Sequence, residues 1–523
     1  MALLTTQFRQ TLSADTGYGL AIVSLIVVVI FLIFKSHKTR KRLPPGPPGL
    51  PFLGNINHFS GEHFRTFCNL QKKYGPLMLL TALGQPILIL GTHKIASDLL
   101  DKRAKLYSDR PTFIVAEEIL TGGMFMIVAR AKDRWRRMRK AAAEGLSRGV
   151  ARQLQPIQIH QTAILLQALI EDSSNWNDMI KESTAILVFV LTYGQSAKKA
   201  DGLAVLPSIN QFVDRLVKAA MPGQYLADLV PGMKYLPSWM ARWKRDAELH
   251  YRQDTAMFGK LYRGVEKLIA EGDTQNSFAA TLIQHPQSNL SKDEASWLSG
   301  TMYAAGTETT SSTLSWFIFA MLSNPQVQAQ AHRELDAIVG QDRLPTFADQ
   351  DQLIYIQAII RETLRWNTVS PLGSAHRLLE DDVYEGYFIP KDTIVLANVW
   401  EMNRDQSVYG PDADKFNPSR HIDENGTLRE FSFTKGEGHA TWGFGNRVCV
   451  GRIVAKDSLF ITITFMLWAC QIEAPSCMDG KPFIPSEDSA VNTGLIWKPP
   501  SFDCNFKPRF PEAIAMVREA GFS

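Results

Sequence analysis

Trp442-Gly443-Phe444-Gly445-Asn446-Arg447-Val448-Cys449-Val450-Gly451 is the stretch from which the rest of this 523-residue chain is read. A lone cysteine stands among glycines, with an arginine two residues before it. The apolar, proline-free run from Arg452 to Cys470 predicts a helix. Cys449 then sits where a turn feeds a helix N-terminus, whose unpaired N–H groups and positive dipole end favour a thiolate. Gly445 and Gly451 allow the backbone to bend and to come close to a flat partner. Arg447 offers a fork suited to a carboxylate.

A thiolate aimed at a flat, carboxylate-bearing ligand suggests haem iron with a cysteine axial ligand. A cysteine is more often a small buried hydrophobe, so the spacing around it has to decide. That spacing resembles the haem-binding loop of the cytochrome P-450 superfamily, which runs aromatic-x-x-Gly-x-Arg-x-Cys-x-Gly. Trp442 stands where the family usually has Phe, keeping a large ring and adding an indole N–H. The resemblance implies haem b (iron protoporphyrin IX), ligated by Cys449 and cradled by Gly443, Phe444 and Arg447.

Composition is globular, 45% apolar and 21% charged, and the net charge of +4 gives no reason to propose nucleic acid. Five cysteines at irregular spacing form neither a zinc pattern nor a disulfide framework, which fits a reducing, cytosol-facing domain. Residues 18–34 are uncharged and reach about 26 Å as a helix, against a hydrocarbon core of about 30 Å. The run has no polar face, as a core helix would, and its cations mostly follow it rather than precede it, unlike a signal peptide. The expected organisation is a short luminal N-terminus at 1–17, a transmembrane anchor at 18–34, a basic and proline-rich hinge at 35–51, and a catalytic domain at 52–523. The positive-inside rule puts that domain in the cytosol, on the endoplasmic reticulum membrane.

Other motifs follow in the family's order. Short apolar runs from Pro76 to Leu90 predict strands of a small sheet. Lys132 to Leu146 predicts a basic helix on which Trp135 and Arg139, four apart, share a face. It resembles the family's Trp-x-x-x-Arg helix, which implies that both residues bond a haem propionate. Arg134, Arg136, Arg137 and Lys140 point elsewhere, as a solvated face or a docking surface for an acidic reductase. Ser291-Lys292-Asp293-Glu294 is a capping box opening a helix of roughly thirty-three residues, about 50 Å long. Midway lies the polar run Ala305-Gly306-Thr307-Glu308-Thr309-Thr310, costly to bury without a task. A kink satisfied by threonines bonding back to carbonyls is the bland reading, and a local distortion with a groove for dioxygen the functional one. The family's motif implies that Thr309 serves dioxygen and that Glu308 relays protons. Glu362 and Arg365 face one another on a helix from Ile354 to Trp366, and the resemblance adds Arg420 as their structural partner. It also implies a propionate role for Arg377 and a substrate pocket drawn from Phe113, Phe125, Ala305, Val369, Leu372 and Leu495.

The expected fold is mainly α with small β-sheets. The resemblance implies a membrane-anchored monooxygenase acting on an apolar small molecule, fed by NADPH–cytochrome P-450 reductase with cytochrome b5 as a further donor. The wording of the chain looks most like fungal microsomal members, many of which oxidise terpenoid or polyketide skeletons. A dioxygen-independent haem-thiolate isomerase or dehydratase, which loses the acid–threonine pair, and a non-catalytic haem sensor are the alternatives.

Overall fold

The computed structural model of the chain describes residues 42–522 apart from 196–201, 222, 275, 286–288, 476–483 and 494–495. The anchor expected at 18–34, Leu495 and Cys477 lie outside the described residues. Six helices position the site: α1 (Asp133–Gly145), α2 (Trp176–Tyr193), α3 (Leu206–Ala219), α4 (Lys292–Ser323), α5 (Ile354–Trp366) and α6 (Arg452–Ala469).

Helix α4 starts where its capping box predicts. Ser291 Oγ accepts from Glu294 N at 3.2 Å, and the Glu294 carboxylate accepts from Ser291 N at 2.9 Å. The helix runs 32 residues without a break and ends at Asn324, before Pro325. Its first half joins an apolar core with α2 and α3, through Trp297, Tyr303, Phe189 and Phe212. Its second half joins another with α5 and α6, through Trp316, Phe317, Ile359 and Phe465. Between the two cores, residues 304–310 are only half-buried. Pro207 lies in the first turn of α3, where its missing N–H would be an orphan anyway.

The strands are β1 (Leu77–Ala82), β2 (Gln85–Leu90), β3 (His376–Arg377), β4 (Asp382–Tyr384), β5 (Tyr387–Ile389), β6 (Ile394–Ala397), β7 (Cys470–Glu473), β8 (Val491–Asn492), β9 (Trp497–Lys498) and β10 (Asn505–Pro508). One sheet has the order β1-β2-β6-β3, with β2 and β6 parallel and the other pairs antiparallel. β7 pairs with β10 and β8 with β9, both antiparallel. The β4–β5 hairpin belongs to a separate small unit, whose described residues are 42–44 and Asp381–Lys391. Within it, Phe388 N donates to Arg42 O at 2.7 Å and the Arg42 guanidinium stacks on Tyr387.

Candidate active site

The cysteine loop folds on two left-handed glycines, Gly443 (φ 74°) and Gly445 (φ 55°), and closes with Cys449 N donating to Trp442 O at 2.7 Å. Gly445 also permits a close approach: a Cβ there would lie 2.0 Å from the Leu100 carbonyl oxygen. Gly445 N is held by Asp101 Oδ1 at 2.6 Å, and Phe444 is buried. Gly451 is the residue before α6, so Cys449 stands at a helix N-terminus as the sequence implies. Burial nevertheless pushes its thiol up, against the pull of the Gly451 N–H, Arg139 and Arg452. The helix end alone therefore does not make the thiolate. A bound metal ion deprotonates a coordinating thiol outright.

Beside the loop are three buried or half-buried guanidiniums. Arg447 donates to the main-chain carbonyls of Ser108 (2.7 Å), Ala129 (2.8 Å) and Met126 (3.3 Å), and lies 3.8 Å from the centre of the buried Trp135 ring. Burial, with Arg110 and Arg139 nearby, pushes Arg447 down to about 8. Arg110 donates to the carbonyls of Ala375 (2.6 Å), Ser374 (2.8 Å) and Ile127 (2.9 Å), and burial lowers it to about 10. Arg139, on the same face of α1 as Trp135, donates to Val448 O, and burial lowers it too. All these acceptors are neutral. The neighbouring carboxylate, Asp109, is taken up by Arg130 Nε at 2.7 Å and Ala131 N at 2.7 Å. Cations gathered out of water without anions are unfavourable unless a ligand supplies the charge.

Arg377 is paired differently from these three. It lies 3.2 Å from Asp109 and 3.5 Å from Asp392, so carboxylates of the protein already neutralise it. Its neighbour His376 joins the guanidinium cluster instead. His376 Nδ1 is 2.7 Å from Tyr107 O, and burial followed by Arg110 pushes the imidazole down to about 3. Successive strand residues point to opposite faces, and that alternation on β3 separates the two. Sequence reasoning missed both Arg110 and His376. The available signals were the Asp109-Arg110 pair in the stretch before Pro111 and the histidine directly preceding Arg377.

On α4, Thr309 Oγ1 donates to Ala305 O at 2.8 Å, as Thr307 does to Tyr303 O at 2.9 Å. The threonines bond back to carbonyls of their own helix, the arrangement of the bland reading, and the helix is continuous through them. Gly306 serves packing: a Cβ there would sit 3.0 Å from Val188 on α2. Glu308 is ion-paired with Lys498 on β9. Among the expected pocket residues, Phe113, Ala305 and Leu372 are half-buried. Phe125 and Val369 are buried, Phe125 with its ring centre 5.4 Å from that of Phe212 and Val369 accepting from Trp497 N at 2.8 Å. The basic helix is largely paired within the protein: Arg134 and Arg137 both reach Glu294, at 3.1 and 2.8 Å, and Lys140 lies 3.8 Å from Glu144.

Glu362 and Arg365 form a fully buried bidentate pair, at 2.6 and 2.7 Å. Arg420 Nε joins at 3.1 Å, and so does His421 Nε2 at 2.9 Å, a member the sequence did not suggest. Arg365 also donates to the carbonyls of Asn403 and Ala413, and Asn403 Oδ1 accepts from Ala440 N at 2.8 Å, two residues before the cysteine loop. The network thus reaches the loop through Asn403.

The Cytochrome P450 family model matches residues 44–506. The chain belongs to the cytochrome P450 family. It is 47% identical over 469 residues to Cytochrome P450 monooxygenase ARMGADRAFT_1018420 of Armillaria gallica, covering 89% of this chain and 90% of that one. It is 42% identical to Cytochrome P450 monooxygenase 58 of Postia placenta (89% and 88% covered) and 36% identical to Cytochrome P450 monooxygenase iboC of Amanita muscaria (89% and 91%). The P450 is accordingly an oxidoreductase that incorporates oxygen, with haem iron as cofactor. The residues present fit that group. Arg110, Arg139 and Arg447 supply cations whose hydrogen bonds go only to neutral carbonyls, and the indole N–H of Trp442 is buried with no partner among the described residues. A Cβ on Gly443 or Gly451 would meet only open space, leaving room for a flat ring.

Proposed function

We propose that this P450 is a membrane-anchored monooxygenase that takes electrons from an NADPH–cytochrome P-450 reductase, with cytochrome b5 as a further donor, and oxidises an apolar small molecule in fungal specialised metabolism. The observation that carries the site is the cysteine loop beside three buried or half-buried guanidiniums. When bound, the haem supplies dioxygen activation, and a thiolate ligand favours O–O cleavage. Cys449 would supply the thiolate that holds the iron, and Arg110, Arg139, Arg447 and His376 would hold the propionates. Thr309 offers a hydroxyl that can leave its Ala305 carbonyl to donate elsewhere, and Glu308 relays protons from solvent. The presence of this pair favours monooxygenation over dioxygen-independent rearrangement.

Among the described residues no helix is long and apolar enough to cross a membrane, so the anchor rests on the sequence of 18–34. Support for membrane contact comes from Leu226, Val230, Tyr235, Trp239 and Met240, large apolar side chains left 48–80% exposed within fifteen residues of chain. Lone exposed apolar residues are ordinary, whereas a concentration of them marks an interaction site. The reading is tested on microsomal protein reduced under carbon monoxide. Wild type should show the red-shifted Soret band and Cys449→Ala should lose it; retention of the band removes Cys449 as ligand. Dioxygen uptake that ignores added reductase would remove the electron-transfer reading.

A further inference from the structure

The partner of Glu308 lies far along the chain and is rigidly mounted. Lys498 is the last residue of β9, and its Nζ pairs with Glu308 Oε1. The preceding residue, Trp497, is fully buried, with its indole 5.2 Å from the Phe64 ring and 6.0 Å from that of Trp400. Its backbone is fixed on both sides: Trp497 N donates to Val369 O at 2.8 Å, and Trp497 O accepts from Trp316 Nε1 at 3.0 Å. Glu308 and Trp316 are eight apart on α4 and so share a stripe of that helix. Two adjacent strand residues therefore hold the helix at points about two turns apart. Alternation along the strand sends Trp497 into the core and Lys498 to the other side, toward Glu308.

We propose that Lys498 is a positioning residue for Glu308, presenting its carboxylate at one place beside the half-buried run 304–310. Glu308 has three rotatable side-chain bonds and, among the described residues, no other side-chain ion pair or hydrogen bond, so without Lys498 it would sample many orientations. A relay group has to stay within hydrogen-bond reach of the water it serves. The inference rests on the proton-relay reading of Glu308, and the two can fail separately.

The first measurement does not involve turnover. Full-length protein is treated with limiting acetic anhydride, and acetylation of Lys498 is followed by peptide mass spectrometry against the exposed Lys72. Glu308→Gln should raise the relative rate at Lys498 severalfold; an unchanged rate means the pair is not formed in solution and overturns the proposal. The second uses haem-loaded protein with reductase and no added substrate, and reads the hydrogen peroxide formed per NADPH consumed. Poor proton delivery diverts reduction from water to peroxide. Glu308→Gln and Lys498→Met should each raise the ratio, the double variant should be no worse than either single, and Lys498→Arg should restore it. If Glu308→Gln leaves the ratio unchanged, the relay reading itself falls. If Glu308→Gln raises it while Lys498→Met does not, or if the double variant shows the sum of both effects, Lys498 is not positioning Glu308.

Discussion

Replacing Glu362 by Gln removes the one anion from a fully buried cluster while keeping its shape. The carboxylate accepts two bonds from Arg365 and one each from Arg420, Asn417 N and His421. Burial by itself would raise its pKa; Arg365 and His421 overcome that and hold the carboxyl well below the usual range. A Gln amide would turn an N–H₂ against guanidinium donors and leave two buried cations, with Asp412 reaching only Arg420, at 3.1 Å. Breaking such a pair costs about 3–5 kcal/mol, a large share of the roughly 5–15 kcal/mol that separates folded from unfolded domains. The exposed pair Arg518–Glu171 sets the contrast: water screens it, and removing it should leave stability essentially unchanged. A carboxylate with a depressed folded pKa contributes stability above the unfolded value near 4.3, which is lost as pH falls through the folded value. The Glu362→Gln deficit should therefore be constant between pH 6 and 8. The assay is urea denaturation of haem-loaded protein, followed by tryptophan fluorescence and by the reduced carbon monoxide band. Glu362→Gln should lose both signals at much lower urea than wild type, and Glu171→Gln should match wild type. A Glu362→Gln midpoint no lower than that of Glu171→Gln would refute the reasoning.

Gly445→Ala should disable haem retention, since the new Cβ meets the Leu100 carbonyl oxygen and takes a left-handed φ of 55°. The strain is about 1–3 kcal/mol, read as a lower haem-to-protein ratio on purification; full occupancy would contradict the close approach. His93 is buried and burial pushes its imidazole down to about 4. Its unfolded form takes up a proton near pH 6.5 while the folded form does not, so stability falls as pH drops from 6.5 toward 4. The loss is about 2 kcal/mol at pH 5. His93→Gln should flatten that part of the stability–pH curve, and an unchanged slope would place the proton uptake elsewhere.

Features set by short spacing were legible in the chain. The capping box at Ser291 and Glu294, the shared face of Trp135 and Arg139, and the Glu362–Arg365 pair all follow from helical geometry over three or four residues. The turn into α6 follows from two glycines and a proline-free apolar run. The haem reading came from the same local pattern, because a thiolate loop needs its glycines, arginine and cysteine in fixed order. Other contacts were not legible, because competition among distant groups decided them. Arg377 was drawn to Asp109, leaving Arg110 and His376 with Arg447, and the hydroxyl of Thr309 found a carbonyl on its own helix.

What the sequence determined by itself was the family and the cofactor, since these rest on side chains a few residues apart with fixed backbone geometry. Only the tertiary structure decided which charges meet. It brought Lys498 to Glu308 across 190 residues and His421 to Glu362 across 59, and set Arg447 over Trp135. Ion pairs depend on which surfaces the packed cores bring together, and a buried charge takes whichever partner lies within reach.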